Sequence, residues 1–260
     1  MPTAHQALDH WLSTLGPLRL ALEGRVGWEF GTLFAAQPWL AQSPRGDGHP
    51  VLVLPRFLGC DLSTQPLRDF LARLGYRAEP WGLGVNLGPR AGVMDACLER
   101  LEHLYATHGC RVSLIGWSLG GLYARELAKE APEQVRLVIT LGSPFAGDQS
   151  DPSELWQLQE RMTGEPVGLP LRHGPLDQAP PVPTTSIFSR SDGIVHWTDS
   201  LEHEGPITEN ILVESSHLGL AFNPLSLHAI ADRLAQPEGA WRPFERTGAR
   251  AWLYPNPPRA

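Results

Sequence analysis

Val112-Ser113-Leu114-Ile115-Gly116-Trp117-Ser118-Leu119-Gly120-Gly121, continuing as Leu122-Tyr123-Ala124-Arg125-Glu126-Leu127-Ala128, reads as a strand, a sharp turn and a helix. An apolar, β-branched run stops at a glycine, one serine stands between glycines, and a strong helix former follows. A serine hydroxyl is a poor nucleophile until a base and an oxyanion hole meet it. The G-x-S-x-G turn supplies the placement, because the flanking glycines allow a tight turn that lifts the Oγ above the sheet. Ser118 is the candidate nucleophile. The plainer reading, a glycine-tightened turn whose serine only caps the helix, is set against it.

Working outward, strands alternate with helices. An apolar run at 51–54 predicts a buried strand. Ser63 or Thr64 is expected to cap a helix with Pro66 in its first turn, carried by Leu67, Phe70, Leu71 and Leu74 and stopped by Gly75. A strand near 77–81 and a Gly-rich loop at 82–89 precede a helix at about 91–107. Further strands are expected at 111–115, 135–141, 185–189 and 210–214, with helices at 119–130 and from Asn223-Pro224 to about 234. Alternation of this kind implies a parallel sheet covered on both faces. Before it, 6–22 reads as an amphipathic leading helix, and 28–40 as a second helix ending near Pro38. The chain thus divides into a lead-in (1–46), a core (47–236) and a Pro-rich tail (237–260) that either wraps or dangles. The connection at about 148–184 is long enough to be a cap or lid over the site.

A serine nucleophile needs a base, and the base an orienting acid, in the chain order serine, acid, histidine for a turn of this type. Five histidines follow Ser118. His228 falls inside the last helix, His173 lies before any suitable acid, His196 is too near Asp192, and His203 lies in an acidic, solvated stretch. His217 follows the 210–214 strand in a loop, where parallel sheets place their chemistry. It is the candidate base. Asp192, directly after the 185–189 strand, is the candidate acid; its Asp-Gly pair also suits a turn, and Asp199 and Glu202 are rivals. The oxyanion hole is expected from the backbone N–H of Leu119 and a second donor after the first strand, Phe57 or its neighbour Leu58.

Composition sets the outer bounds. The chain has 260 residues, 42% hydrophobic and 19% charged, which fits one globular α/β domain. A net charge of −7 gives no basic footprint, so no nucleic-acid partner is expected. No run reaches the ~20 apolar residues that span a bilayer, and Met1–Leu22 has no signal-peptide pattern. Cys60, Cys97 and Cys110 lack metal-ligand spacing; reduced thiols, a cytoplasmic location, and no metal or other cofactor are expected. Nine Trp and 25 Pro suggest core filling and loops, or an aromatic-lined pocket. Trp11 and Trp28 on an amphipathic segment allow weak interfacial membrane contact, although few basic residues accompany them.

Ser118, Asp192 and His217 in strand-end loops resemble the α/β-hydrolase superfamily, in particular its lipase- and esterase-like members, over about residues 50–235. Leu54-Pro55-Arg56-Phe57 looks like the oxyanion-loop motif, and Leu141-Gly142-Ser143-Pro144-Phe145-Ala146-Gly147 is similar to the segment such lipases carry one strand later. The resemblance implies an α/β-hydrolase fold and hydrolysis of small or lipid-like carboxylic esters through an acyl-enzyme on Ser118. Thioesterase or acyl-transfer chemistry uses the same groups, a haloperoxidase-type site would need no mobile lid, and a non-catalytic binding scaffold is the competing class. Arg56 departs from the motif's usual glycine. An arginine resists positive φ; its guanidinium is expected either to meet an anionic substrate group or, more plainly, to lie on the surface.

Overall fold

The computed structural model describes residues 16–147 and 173–258. Six strands, β1 (Pro50–Leu54), β2 (Arg77–Pro80), β3 (Val112–Trp117), β4 (Val135–Leu141), β5 (Thr184–Phe188) and β6 (Thr208–Leu212), form one sheet in the order β2-β1-β3-β4-β5-β6. Every pairing is parallel. β1, β3 and β4 are mostly apolar and buried at every residue, because both faces of the sheet are covered. Along β1 the side chains alternate, Leu52 and Leu54 into one core, Val51 and Val53 into the other.

The first core lies under α5 (Val93–His108) and α6 (Leu119–Glu130). The second is covered by α2 (Val26–Ala35), α3 (Gln37–Leu40), α4 (Asp61–Leu74) and α7 (Pro224–Leu234). β2 and β3 flank β1 on opposite sides, so the strand order reverses at β1, and crevices at such reversals are where open α/β sheets bind ligands. The carboxyl ends of β1 and β3 meet there, Leu54 opposite Gly116.

Several boundaries differ from expectation. α4 starts at Asp61, because the Ser63 and Thr64 hydroxyls donate back to the Cys60 and Asp61 carbonyls (2.6 and 3.1 Å) and do not cap. Gly75 ends it in the left-handed region (φ 101°), as its type predicts. The 28–40 segment is two helices, with Pro38 in the first turn of α3, where a missing N–H costs no bond. Of the leading helix, α1 (Gly16–Glu23) falls within the described residues and its earlier part outside them. β6 begins two residues early, on polar Thr208-Glu209-Asn210. Glu209 is buried against Arg233 (2.6 Å), and Asn210 exchanges hydrogen bonds with the Glu202 backbone (2.9 and 2.7 Å).

The tail wraps. Phe244 and Tyr254 are buried edge to face (4.7 Å), and the hydroxyl of Tyr254, which directly follows the short helix α8 (Arg250–Leu253), donates to Leu225 O at 2.9 Å. Trp252, by contrast, is 90% exposed. Most of the expected cap, 148–172, lies outside the described residues. Its end is anchored: Arg125 of α6 donates to Leu176 O and Asp177 O (3.0 and 3.1 Å).

Candidate active site

The turn after β3 is built by close approach. A Cβ on Gly116 would meet Gly120 O at 2.3 Å, and one on Gly120 would meet Leu54 O at 2.3 Å. No larger residue fits at either position. Neither glycine has positive φ; Ser118 itself does (φ 54°, ψ −120°). Such a conformation costs of order 1–3 kcal/mol and is kept only where the surroundings impose it. Here Ser118 N–H donates to Leu141 O (2.8 Å) and Ser118 O accepts from Gly121 (2.9 Å). The Ser118 Oγ is buried and has no hydrogen-bond partner among the described residues.

Asp192 and His217 stand in the loops after β5 and β6. His217 Nδ1 lies 2.7 Å from Asp192 Oδ2, and both side chains are 2% exposed. A carboxylate only accepts, so Nδ1 carries the proton and Nε2 is left for another partner. The remaining oxygen, Asp192 Oδ1, accepts from the N–H groups of Ile194 (2.8 Å) and Val195 (2.7 Å), which is the Asp-Gly turn chemistry serving the site. Trp117, next to Ser118, donates its Nε1–H to His217 O at 3.1 Å and so ties the β3 turn to the histidine loop. Gly142, in the left-handed region, backs the pair: a Cβ there would lie 3.0 Å from Asp192 Oδ2 and 3.2 Å from His217 Nδ1.

Of the expected oxyanion donors, the Leu119 and Phe57 N–H groups have no acceptor among the described residues. Leu58 N–H is committed to Asn86 O (2.7 Å), which removes it as the alternative. The positive φ of this loop falls on Leu58 (58°), so Arg56 keeps an ordinary backbone. Arg56 is not a surface residue. Its guanidinium donates to Phe57 O (2.9 Å) and stacks over Trp117, 5.3 Å from the ring centroid. Burial pulls it below the usual arginine value, opposed by nearby Cys60 and Glu23.

The rival residues are used elsewhere. Glu202, expected near a short helix, is fully buried against Arg125. Asp199 sits on the 3-10 turn Trp197–Ser200, its carboxyl pushed up by burial. His228 packs against Trp39 and Ser43, His173 pairs with Glu130 (2.6 Å), and His203 is exposed. A cavity of about 320 Å³ lined by Arg233, Arg242 and Arg250 lies between α7 and the tail, and none of Ser118, Asp192 and His217 lines it. Cys60, Cys97 and Cys110 are free, burial pushing the Cys97 thiol up to about 12. Among the described residues no three His, Cys, Asp or Glu side chains cluster as metal ligands, and no helix is long and apolar enough to cross a membrane.

Two residues that sequence reasoning missed are Glu23 and Glu29, buried acids of α1 and α2 whose carboxylates reach the Asp192 and His217 loops. Their signal was slight: acidic side chains within apolar helical segments.

No family model and no curated protein sequence matches the chain. Among solved structures it is similar to Aspergillus fumigatus lipase B, at TM-score 0.57 and 20% identity over 77% of this chain. It spans 56% of that lipase's length. A pyrethroid hydrolase from Sphingobium faniae is similar at TM-score 0.51 and 18% identity, covering 73% of this chain and 98% of the other. The monoacylglycerol lipase of Paleococcus ferrophilus is similar at TM-score 0.50 and 14% identity, covering 72% and 96%. The fold is the α/β-hydrolase fold.

Proposed function

We propose that this α/β-hydrolase-fold chain is a serine hydrolase of carboxylic esters. The observation that carries the reading is the joint placement of a strained Ser118 at the β3 turn and a hydrogen-bonded Asp192–His217 pair in the loops after β5 and β6. Ser118 Oγ attacks the ester carbonyl while His217 Nε2 takes its proton. The tetrahedral oxyanion accepts from the Leu119 and Phe57 N–H groups, the first of them at the positive end of α6. His217 then protonates the leaving alkoxide, and the Ser118 acyl-enzyme is released by a water that His217 deprotonates. Asp192 holds the tautomer and stabilises the imidazolium.

The substrate class is an apolar or lipid-like ester. Support comes from the apolar cluster in which Phe57, Leu58 and Leu119 pack together, and from relatives in fold described as lipases and a pyrethroid hydrolase. The test is hydrolysis of p-nitrophenyl esters from acetate to palmitate by wild type and Ser118→Ala, with fluorophosphonate labelling alongside. Turnover lost in Ser118→Ala supports the reading, and the chain-length optimum names the acyl class. Labelling without turnover moves the chemistry to thioesters or to an acyl acceptor other than water. Neither labelling nor turnover leaves a binding scaffold.

A further inference from the structure

The Glu23 carboxylate sits at the junction of the acid and base loops, 8% exposed, at the end of α1. Its Oε1 accepts from Gly193 N–H and from His217 N–H, both at 2.8 Å, and its Oε2 accepts from Leu218 N–H at 3.0 Å. One oxygen atom thus joins the residue following Asp192 to His217 itself. Gly193 is required for this approach, since a Cβ there would lie 2.6 Å from Arg19 O and 3.0 Å from Glu23 Oε1. The same helical segment grips the loops on either side. Arg25 donates to Ser191 O and Oγ (3.2 and 2.9 Å), and Glu29 accepts from Ser216 N–H and Oγ–H (2.7 and 2.5 Å).

We propose that Glu23 is a positioning residue for the reaction: it sets the distance and angle of the Asp192–His217 hydrogen bond by clamping the backbone of both loops. The proposal rests on the serine-hydrolase reading above. The two loops also meet directly, Ser189 Oγ accepting from Ser215 N–H (3.1 Å) and Ser191 Oγ donating to Ser215 O (3.3 Å), but Glu23 holds His217 N–H itself, and hydrogen bonds to an ionised acceptor are shorter and stronger than neutral ones. All three partners are N–H donors, so a glutamine cannot replace the glutamate: its amide N–H₂ would face a donor.

The experiment compares full-length wild type, Glu23→Gln, Glu23→Asp, Asp192→Asn and the Glu23→Gln/Asp192→Asn double variant, each confirmed folded by its thermal transition. Misplacing reacting groups by about 1 Å costs on the order of 100-fold, so Glu23→Gln is expected to lose about 10- to 100-fold in kcat with KM little changed. Glu23→Asp, which keeps the charge and shortens the reach, falls between. If Glu23 acts through the pair, the double variant is no slower than Asp192→Asn within about twofold, the behaviour of coupled residues. Proton NMR of the His217 Nδ1–H gives a readout that needs no substrate: the resonance shifts or broadens in Glu23→Gln and in Glu23→Asp.

An unchanged His217 resonance in both folded variants, unchanged kcat, or losses that multiply in the double variant would overturn the proposal. Should Glu23→Gln fail to fold, Glu23→Asp decides alone by the same criteria. A wild type that neither labels at Ser118 nor turns over defeats the hydrolase reading instead, while the resonance still decides whether Glu23 positions His217.

Discussion

Asp192 divides its two oxygens between tasks: Oδ2 takes the His217 Nδ1–H at 2.7 Å, and Oδ1 is filled by two backbone N–H groups. An asparagine at 192 would be forced into one orientation, its oxygen toward Ile194 and Val195 and its amide toward His217. That amide donates, so the imidazole proton moves to Nε2, which can then no longer act as the proposed base. Asp192→Asn is expected to lower kcat by about 10⁴ with the fold intact, as in Ser-His-Asp sites generally. Steady-state kinetics beside a thermal scan checks both halves.

Gly142 presses on the same pair. Alanine there must adopt φ +52° and place its Cβ 2.7 Å from Leu220 Cδ1. The backbone conformation alone costs about 1–2 kcal/mol. Gly142→Ala is expected to lower both the thermal midpoint and kcat, seen by calorimetry and ester turnover.

Asn86, fully buried, holds the loop that carries Phe57, the proposed second oxyanion donor. It accepts from Leu58 N–H through its carbonyl, donates its own N–H to Gly59 O (2.8 Å), and donates its side-chain amide to Pro55 O (2.8 Å). Asn86→Ala frees Pro55 and loosens the oxyanion loop. Loss of one oxyanion donor costs about 10²–10³ in kcat, and a misplaced donor is expected to cost up to that, with KM nearly unchanged in the ester assay.

The Ser118 turn was legible because its glycines are a requirement of volume: 116 and 120 admit no Cβ, so the pattern survives in the residues themselves. Asp192 and His217 were legible because each follows a strand directly. The early start of β6 was not, since Glu209 and Asn210 look solvated until Arg233 and the Glu202 backbone absorb them. Glu23 was hidden for a related reason. Its partners are backbone N–H groups, which every residue has and which leave no mark in a sequence.

Arg125 and Glu202 form a buried pair that also pins the end of the 173–183 segment. Removing one member of such a pair costs about 3–5 kcal/mol, because the other charge is left uncompensated. Arg125→Met is expected to lose that much in urea unfolding, and adding Glu202→Gln to recover part of it.

Acid should weaken the fold through its buried histidines. Burial, reinforced by Arg250, holds His228 below the usual histidine value of 6.5, and burial does the same for His49. The unfolded chain therefore takes up these protons first as pH falls. Stability is fully present above about pH 6.5 and declines below it, toward the folded-state values. Urea midpoints from pH 7.5 to 5 should show this slope, and His228→Gln should flatten it without abolishing it, since His49 remains.

The clamp between Glu23 and His217 closes across 194 residues of chain. During synthesis the N-terminal helices and the Ser118 turn leave the ribosome long before the strand that carries the histidine. Domains fold as units as they emerge, and contacts this distant in sequence form late. On the proposed reading, Ser118 is therefore synthesised well before the His217 loop that would activate it, and the Glu23 clamp forms only once that loop has been made.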